Sequence, residues 1–207
     1  MDDRFVVQQV GLTVFGNERS EVPIRGWGLD DLVVARVRAA AGPGVVVRRI
    51  SHTKEALAQP ERSGSFFRDM KSELSNAVRQ VASSSSCERY VLVQRTSSPF
   101  SNLNQSVHGI GIVNWGYRTW LFALGYVQIY DGQSFEVIKQ GAATTDDEPL
   151  ISRALLLNPI RGPNKELDRE TFPSAPADAT TNPTLRDGVR ALLTASLDNT
   201  LPAMLRQ

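Results

Sequence analysis

The chain of 207 residues has a single cysteine, Cys87, so it cannot form an internal disulfide or a multi-cysteine metal site. It has almost no net charge, because 23 basic residues stand against 22 acidic ones, and no overall field therefore attracts nucleic acid. It also lacks an uninterrupted apolar run of about eighteen residues, which argues against a membrane-spanning helix. Since 41% of its residues are hydrophobic, we expect a globular protein stabilised by its core.

Signatures of catalysis and of cofactor binding are missing as well. The sequence has no Gly-x-Ser-x-Gly elbow, no Gly-Lys-Ser/Thr triplet and no complete dinucleotide fingerprint. The two histidines, His52 and His108, belong to no zinc-binding spacing. We therefore expect no metal, no cofactor and no catalysis. The alternative is a small enzyme whose site is assembled in space from His52, Cys87, His108 and Asp131.

The spacing of apolar residues predicts alternating strands and helices in the first half of the chain. Period-two alternation predicts a strand from Phe5 to Phe15, and Gly, Asn, Ser and Pro residues then predict a loop over 16–28. Three-and-four spacing predicts helices over 29–40 and 65–81. Further strands are predicted at 45–50, from a β-branched run, and at 90–96.

The second half contains a long apolar and aromatic segment from 106 to 129, interrupted only around Gly116, which predicts a hairpin covered on both faces. The Asp131-Gly132 turn predicts a second hairpin that returns over 135–138. Six of the eleven prolines lie between 141 and 183, which we predict to be a long loop. A C-terminal helix over 184–206 is predicted from a leucine stripe, with a capping box at Thr184 to Asp187 and a break at Pro202.

This order of elements predicts one α/β (α+β) domain spanning residues 1–207. We expect a single mixed sheet of about five to six strands with a long antiparallel hairpin, packed by three amphipathic helices. The C-terminal helix should dock on the core.

The most distinctive group of residues surrounds the turn of the long hairpin. Trp115, Tyr117 and Trp120 lie there with Asn114 and Arg118 interleaved. Aromatic residues and arginine dominate the hot spots of protein interfaces, so these five residues are the predicted binding site. The alternative is that the two tryptophans pack in the interior, beneath the terminal helix or the long loop.

The order of elements and the position of one turn resemble a known family. The strand over Val10–Phe15, the helix that begins at Gly28–Leu32, the strand over Tyr90–Val93 and the turn segment Tyr130–Ile138 look like the amino-terminal α/β domain of TolB and the related fold of the curli lipoprotein CsgG. The resemblance covers residues 5 to 143 and the final helix. It implies a bacterial cell-envelope protein, or a lipoprotein, that acts in assembly or partner binding without catalysis.

These observations lead to one leading expectation and, beside the small enzyme with a scattered site, one further alternative. We expect a noncatalytic envelope protein that binds a protein partner or associates with itself as a homo-oligomer, with no nucleic acid and no membrane-spanning segment involved. The start of the chain lacks the basic and apolar regions of a signal peptide. The protein is therefore periplasmic or attached to the outer membrane if an export segment has been removed, and is otherwise a cytoplasmic module that binds a small ligand.

Overall fold

The computed structural model describes residues 3–11, 16–51, 57, 70–100, 105–145 and 159–206. These residues form ten strands and three α-helices, joined by short 3-10 turns. The strands are β1 (Arg4–Val10), β2 (Glu18–Pro23), β3 (Arg89–Arg95), β4 (Ser97–Pro99), β5 (Ser106–His108), β6 (Ile110–Trp115), β7 (Arg118–Ala123), β8 (Gly125–Asp131), β9 (Val137–Ala142) and β10 (Asn164–Leu167); the helices are α1 (Leu29–Ala41), α2 (Met70–Ala82) and α3 (Pro183–Leu205).

The central sheet has five strands in the order β10-β7-β6-β1-β2. Strands β1 and β6 run parallel, with Val7 beside Ile112, and the other neighbours in this sheet are antiparallel. Two smaller antiparallel sheets accompany it, one of order β3-β8-β9 and one made of β4 and β5. The sheet is therefore mixed, as predicted, and the strands expected in one sheet are divided among three.

Three strands pass from one sheet to another at a shared point, where the chain bends. The bends lie at Thr96 between β3 and β4, at Gly109 between β5 and β6, and at Leu124 between β7 and β8. Gly109 N donates to Thr96 O at 2.9 Å, Thr96 N donates to Leu124 O at 3.3 Å, and Leu124 N donates to Gly109 O at 2.7 Å. Gly109 has a φ of 69°, in the left-handed region that glycine adopts without strain. We call this closed ring of three backbone hydrogen bonds the strand junction.

One face of the central sheet is covered by helices. The stripe of α3 packs on it together with α1 and the side chains of Phe5, Ile112 and Leu121. Burial of the five aliphatic stripe residues of α3 contributes on the order of 8 to 15 kcal/mol before conformational entropy is subtracted. Those residues are Leu185, Val189, Leu193, Leu197 and Leu201, and each of them is fully buried.

The opposite face is covered by the small β4–β5 sheet and the segment around Ile160. Val113, Trp120 and Phe122 pack there against Phe100, which pairs with Ile160 as an isolated antiparallel bridge. Strands β6 and β7 are therefore buried on both sides, because each face of the hairpin has its own covering layer. The predicted two-sided hairpin is confirmed.

Several further predictions are confirmed within the described residues. The α/β class, the helix after residue 28, the strand near residue 90, both hairpins and the C-terminal helix are all present. The parts of the predicted first strand and second helix at 12–15 and 65–69 lie outside the described residues.

Two predictions in the first half of the chain are wrong. The sequence predicts a loop over 16–28, but this segment contains the edge strand β2. Its charged residues leave no alternation of apolar and polar side chains from which a strand could be predicted. The valine run at 45–50 forms no strand, and Val46 is 77% exposed. There, Arg49 bonds to Asp30 and Asp31 at 2.7 and 2.9 Å, so ion pairs hold this segment beside α1. Strand propensity takes effect only beside a neighbouring strand, and none of the described strands pairs with these valines.

The Pro-rich segment also contains structure that its composition did not indicate. Strand β10 completes the central sheet, and short 3-10 turns lie at Arg169–Thr171 and Pro176–Thr181. The described part of the predicted loop therefore supplies an edge strand, while residues 146–158 lie outside the described residues.

The bounds of α3 agree with the predicted helix within one residue at each end, but the cap and the effect of Pro202 differ from the prediction. The helix is capped by Asn182, whose side chain accepts from Thr184 N and Leu185 N, and Pro183 occupies its first turn. The helix also continues through Pro202 to Leu205. Arg89 donates to Leu205 O at 3.1 Å and Lys139 donates to Ala203 O at 3.2 Å, so side chains of β3 and β9 satisfy carbonyls of the last turn.

None of the helices in the described part of the chain is both long and apolar enough to cross a membrane.

The close packing of β1 against β6 leaves no room for a larger side chain at Gly111. A Cβ atom at this position would lie 2.7 Å from Phe122 Cζ and 2.8 Å from Val6 Cβ. We expect Gly111→Ala to reduce the free energy of unfolding by about 1–3 kcal/mol in urea denaturation, because the core cannot absorb the added methyl group. Gly26→Ala is the control, since nothing lies within 4 Å of a Cβ there. Equal stability of the two variants would contradict this close packing.

Candidate functional site

The turn of the long hairpin is a two-residue connection between β6 and β7. Trp115 pairs with Arg118 in the register of the hairpin, and Gly116 and Tyr117 lie between them. Gly116 has a φ of 63°, and glycine at the first central position is typical of a tight hairpin turn that matches the twist of the strands. This turn places Tyr117 at the outer end of the hairpin.

Tyr117 projects from the turn and is 86% exposed. The guanidinium carbon of Arg169 lies 5.5 Å from the centre of its ring, within the range of a cation–π contact. Arg169 belongs to the 3-10 turn that follows β10. The Pro-rich segment thus contacts the hairpin turn.

Arg118 is held by two neighbours. Its Nε and Nη2 atoms donate to the two carboxylate oxygens of Glu166 on β10, at 2.7 and 2.6 Å, and its guanidinium carbon lies 4.8 Å from the ring centre of Trp120. The hydrogen bond from Arg118 lowers the pKa of Glu166, and the same bond raises the pKa of Arg118. A bidentate pair fixes the plane of the guanidinium, so Arg118 is oriented although it is partly exposed.

The two tryptophans have different surroundings. Trp120 is 1% exposed, and its ring lies 6.0 Å from Phe100 in an edge-to-face arrangement. Trp115 is only partly buried and contacts Phe100 from the other side at 5.9 Å. Trp120 therefore belongs to the core on the face opposite α3, while Trp115 reaches the surface.

Asn114 is buried and faces away from Trp115. Its Nδ2 donates to Gln9 Oε1 at 2.9 Å, and its Oδ1 accepts from Thr119 Oγ1 at 3.4 Å. This polar cluster ties β1, β6 and β7 together near the end of the sheet.

The five predicted site residues thus differ in burial: Trp115, Arg118 and Trp120 share one face of the hairpin, and Asn114 lies on the other. Tyr117, Arg118 and the exposed edge of Trp115 lie at the surface, whereas Asn114 and Trp120 lie in the interior. The structure adds Glu166 and Arg169, which sequence reasoning missed because they come from the Pro-rich segment, some fifty residues later in the chain. No spacing in the sequence links them to the hairpin. We call the set Trp115, Tyr117, Arg118, Glu166 and Arg169 the turn surface.

The groups considered for a scattered catalytic site lie in separate places. Cys87 precedes β3, close to Asp131 at the end of β8. His108 lies in β5, where its Nδ1 is 2.8 Å from Ser97 Oγ on β4. The seven residues of β3 separate the two places by roughly 20 Å. His52 lies outside the described residues.

Asp131 has a structural role in its turn. Its Oδ1 accepts from Gln133 N at 2.9 Å, from Ser134 N at 2.8 Å and from Ser134 Oγ at 3.1 Å. These hydrogen bonds, chiefly from the Ser134 backbone, lower the pKa of the Asp131 carboxyl. Within the described ranges, no group of three or more His, Cys, Asp and Glu side chains is placed to hold a metal ion.

Two open clefts lie at the edges of the central sheet. One, of about 430 Å³, lies beside β1 and β2 and includes the side chain of Gln8. The other, of about 410 Å³, lies between Trp27 and the start of α3, where Trp27 Nε1 donates to Thr180 O at 3.0 Å.

Gln8 Oε1 and Tyr130 Oη are buried, and neither has a hydrogen-bond partner among the described residues. Tyr130 is fully buried beside Val78, Ala82 and Tyr90. Burial raises the pKa of its phenol to about 12, because the phenolate would lose its hydration.

Comparison of the chain with protein-family models, with curated proteins and with solved structures finds no match.

The pairing of Arg118 with Glu166 predicts how Glu166 titrates. We expect the pKa of Glu166, followed by its side-chain carboxyl carbon in NMR, to rise toward the ordinary glutamate value of about 4.3 in Arg118→Met. In the wild type, the stability from this pair should be present above that value and be lost as the pH falls through the folded-state pKa. Arg169→Met is the control and should leave the Glu166 titration unchanged. An unaltered Glu166 titration in Arg118→Met would rule out this pairing.

The buried hydroxyl of Tyr130 predicts a loss of stability in alkali. An unfolded tyrosine ionises near pH 10, whereas Tyr130 keeps its proton until about pH 12, so the free energy of unfolding should fall across this interval. Tyr130→Phe should remove that part of the decline and be at least as stable at neutral pH, because it deletes an unpaired hydroxyl. Tyr117→Phe is the control and should keep this part of the decline, because it retains Tyr130. Urea denaturation between pH 8 and 12 measures the difference, and parallel curves for Tyr130→Phe and the wild type would refute it.

Proposed function

We propose that this chain is a noncatalytic protein of the bacterial cell envelope that acts in assembly by docking a protein partner at the turn surface. The observation that carries the proposal is that Tyr117 is almost fully exposed and yet is positioned by a tight turn and by Arg169. An exposed aromatic ring on a fixed support is typical of a binding anchor.

The neighbours of Tyr117 favour recognition of another protein. Arg118 is already held in one orientation by Glu166 and Trp120, so less side-chain entropy is lost when it meets a partner. Trp115 adds a partly buried aromatic edge beside it. Tyrosine, tryptophan and arginine are the residue types most enriched in interface hot spots.

The charges of the turn surface indicate what a partner should offer. Arg118 is balanced by Glu166, while Arg169 contributes a further positive charge against the ring of Tyr117. We therefore infer a partner with an apolar pocket for the tyrosine ring and acidic groups at its rim. Binding of this kind should weaken with added salt, because rim charges are screened.

The location in the envelope and the role in assembly rest on the resemblance to the TolB and CsgG domains. The absence of a catalytic role is supported by the separation of Cys87 and Asp131 from His108 along the length of β3. The alternative function is a cytoplasmic module that binds a small ligand, and the cleft at Gln8 is the feature that favours it.

Site-specific photocrosslinking tests the docking role. A photoreactive phenylalanine analogue at position 117 should capture a discrete protein adduct in cells of the source organism. The same analogue at Val46, which is 77% exposed and distant from the hairpin in sequence, is the matched control and should give no such adduct. The captured protein, once purified, should bind the Tyr117→Ala variant at least about tenfold more weakly than the wild type.

Two further measurements, of the oligomeric state and of the location in the cell, complete the test of the proposed function. Light scattering after size-exclusion chromatography identifies a second copy as the partner if a dimer forms and is lost in Tyr117→Ala. Cell fractionation should recover the native protein with the envelope. A monomer that gives the same crosslinks at 117 and 46 would refute the docking role, and recovery in the cytosol would refute the envelope role.

A further inference from the structure

The cleft at Gln8 has the features of a site for a small polar ligand. Its lining includes six polar side chains, and its volume of about 430 Å³ lies in the range of pockets that hold small molecules. The cleft lies at the β1–β2 side of the central sheet, next to the β4–β5 layer. The six polar lining residues are Gln8, Asn17, Glu18, Arg19, Gln105 and Ser106.

Gln8 is the unusual member of this lining. It follows Val6 on one face of β1 and precedes Val10 there, and both valines are core residues. Gln8 is itself only 6% exposed, and its Oε1 has no hydrogen-bond partner in the described part of the chain. An apolar side chain of similar size would avoid this unpaired acceptor. The carboxamide end of glutamine turns easily about its last torsion, so its oxygen can be presented to a group in the cleft.

Arg19 supplies donors directly opposite this acceptor. It pairs with Gln8 in the antiparallel register of β1 and β2, so the two side chains share a face. Its Nη2 donates to Glu21 at 2.8 Å, which fixes the guanidinium beside the cleft. Asn17 is held at the same wall, because its Oδ1 accepts from Gly11 N at 3.1 Å.

The balance of charge and hydrogen-bonding groups indicates the ligand class. Glu18 and Arg19 are the charged residues of the described lining, and their charges cancel, so this part of the lining has no net charge to select an anion or a cation. The remaining polar residues present amides and a hydroxyl, which both donate and accept. We propose that this cleft binds an uncharged polyhydroxylated molecule, a carbohydrate of one or two rings, with Gln8 Oε1 accepting from a ligand hydroxyl. The proposal does not depend on the role of the turn surface.

Isothermal titration calorimetry of the full chain with glucose, galactose, N-acetylglucosamine, maltose and lactose tests the proposal. At least one of these sugars should bind saturably to the wild type. Gln8→Leu and Arg19→Met should each weaken that binding at least about tenfold, because each removes a hydrogen-bonding partner of the ligand. The absence of saturable binding by every sugar in the set would overturn the proposal.

A matched glutamine separates loss of the site from loss of the fold. Gln128 is also buried, but its Nε2 donates to Gln140 Oε1 at 3.4 Å, so it has the partner that Gln8 Oε1 lacks. Gln128→Leu should leave sugar binding unchanged and lower the urea midpoint. Gln8→Leu should keep or raise the urea midpoint while it weakens binding. If Gln8→Leu binds the sugar like the wild type, Gln8 is not a ligand contact and the proposal fails.

Charged probes test the ligand class. Inorganic phosphate and glycine should not compete with the bound sugar, since the cleft carries no net charge. If either probe binds and Gln8→Leu weakens that binding, the cleft is a site for charged ligands and the carbohydrate assignment is wrong.

Discussion

The structure depends on the ring of backbone hydrogen bonds that joins Thr96, Gly109 and Leu124. Each of these residues is the bend at which a strand leaves one sheet and enters another, so the ring connects all three sheets at one point. Its groups are backbone donors and acceptors, which cannot be left unpaired in the interior at low cost. The positive φ of Gly109 is what allows β5 to turn into β6 there.

The junction explains why the long hairpin is buried on both faces. The chain bends after β3, β5 and β7 at the strand junction. These bends place the β4–β5 sheet over one face of the central sheet, while α3 covers the other face. The middle of the hairpin is therefore buried, and exposed surface is left at the ends of the strands. The turn surface and the Gln8 cleft both lie at such ends, and neither uses the packed centre.

Features carried by local periodicity could be predicted from the sequence, whereas features that depend on distant partners could not. The leucine stripe from Leu185 to Leu201 predicts a helix, and Gly116 predicts a turn, because in each case residues close in sequence determine the local structure. Strand β2 was missed because an exposed edge strand has polar residues on both faces. Val46 has high strand propensity, but none of the strands in the described ranges lies beside it. Of the turn surface, the sequence indicated Trp115, Tyr117 and Arg118. It could not indicate Arg169, whose contact is made only by the tertiary fold.

The parallel pairing of β1 with β6 has a consequence for the time course of folding. Val7 lies beside Ile112, so the two strands are more than a hundred residues apart along the chain. During synthesis, the edge of β1 that pairs with β6 stays unpaired until the hairpin of β6 and β7 has been synthesised. Pairing of such distant strands carries a loop-closure cost, and folding rates fall as the contacts of a protein become less local. Chaperone demand should therefore be greatest in the interval between the synthesis of these two strands.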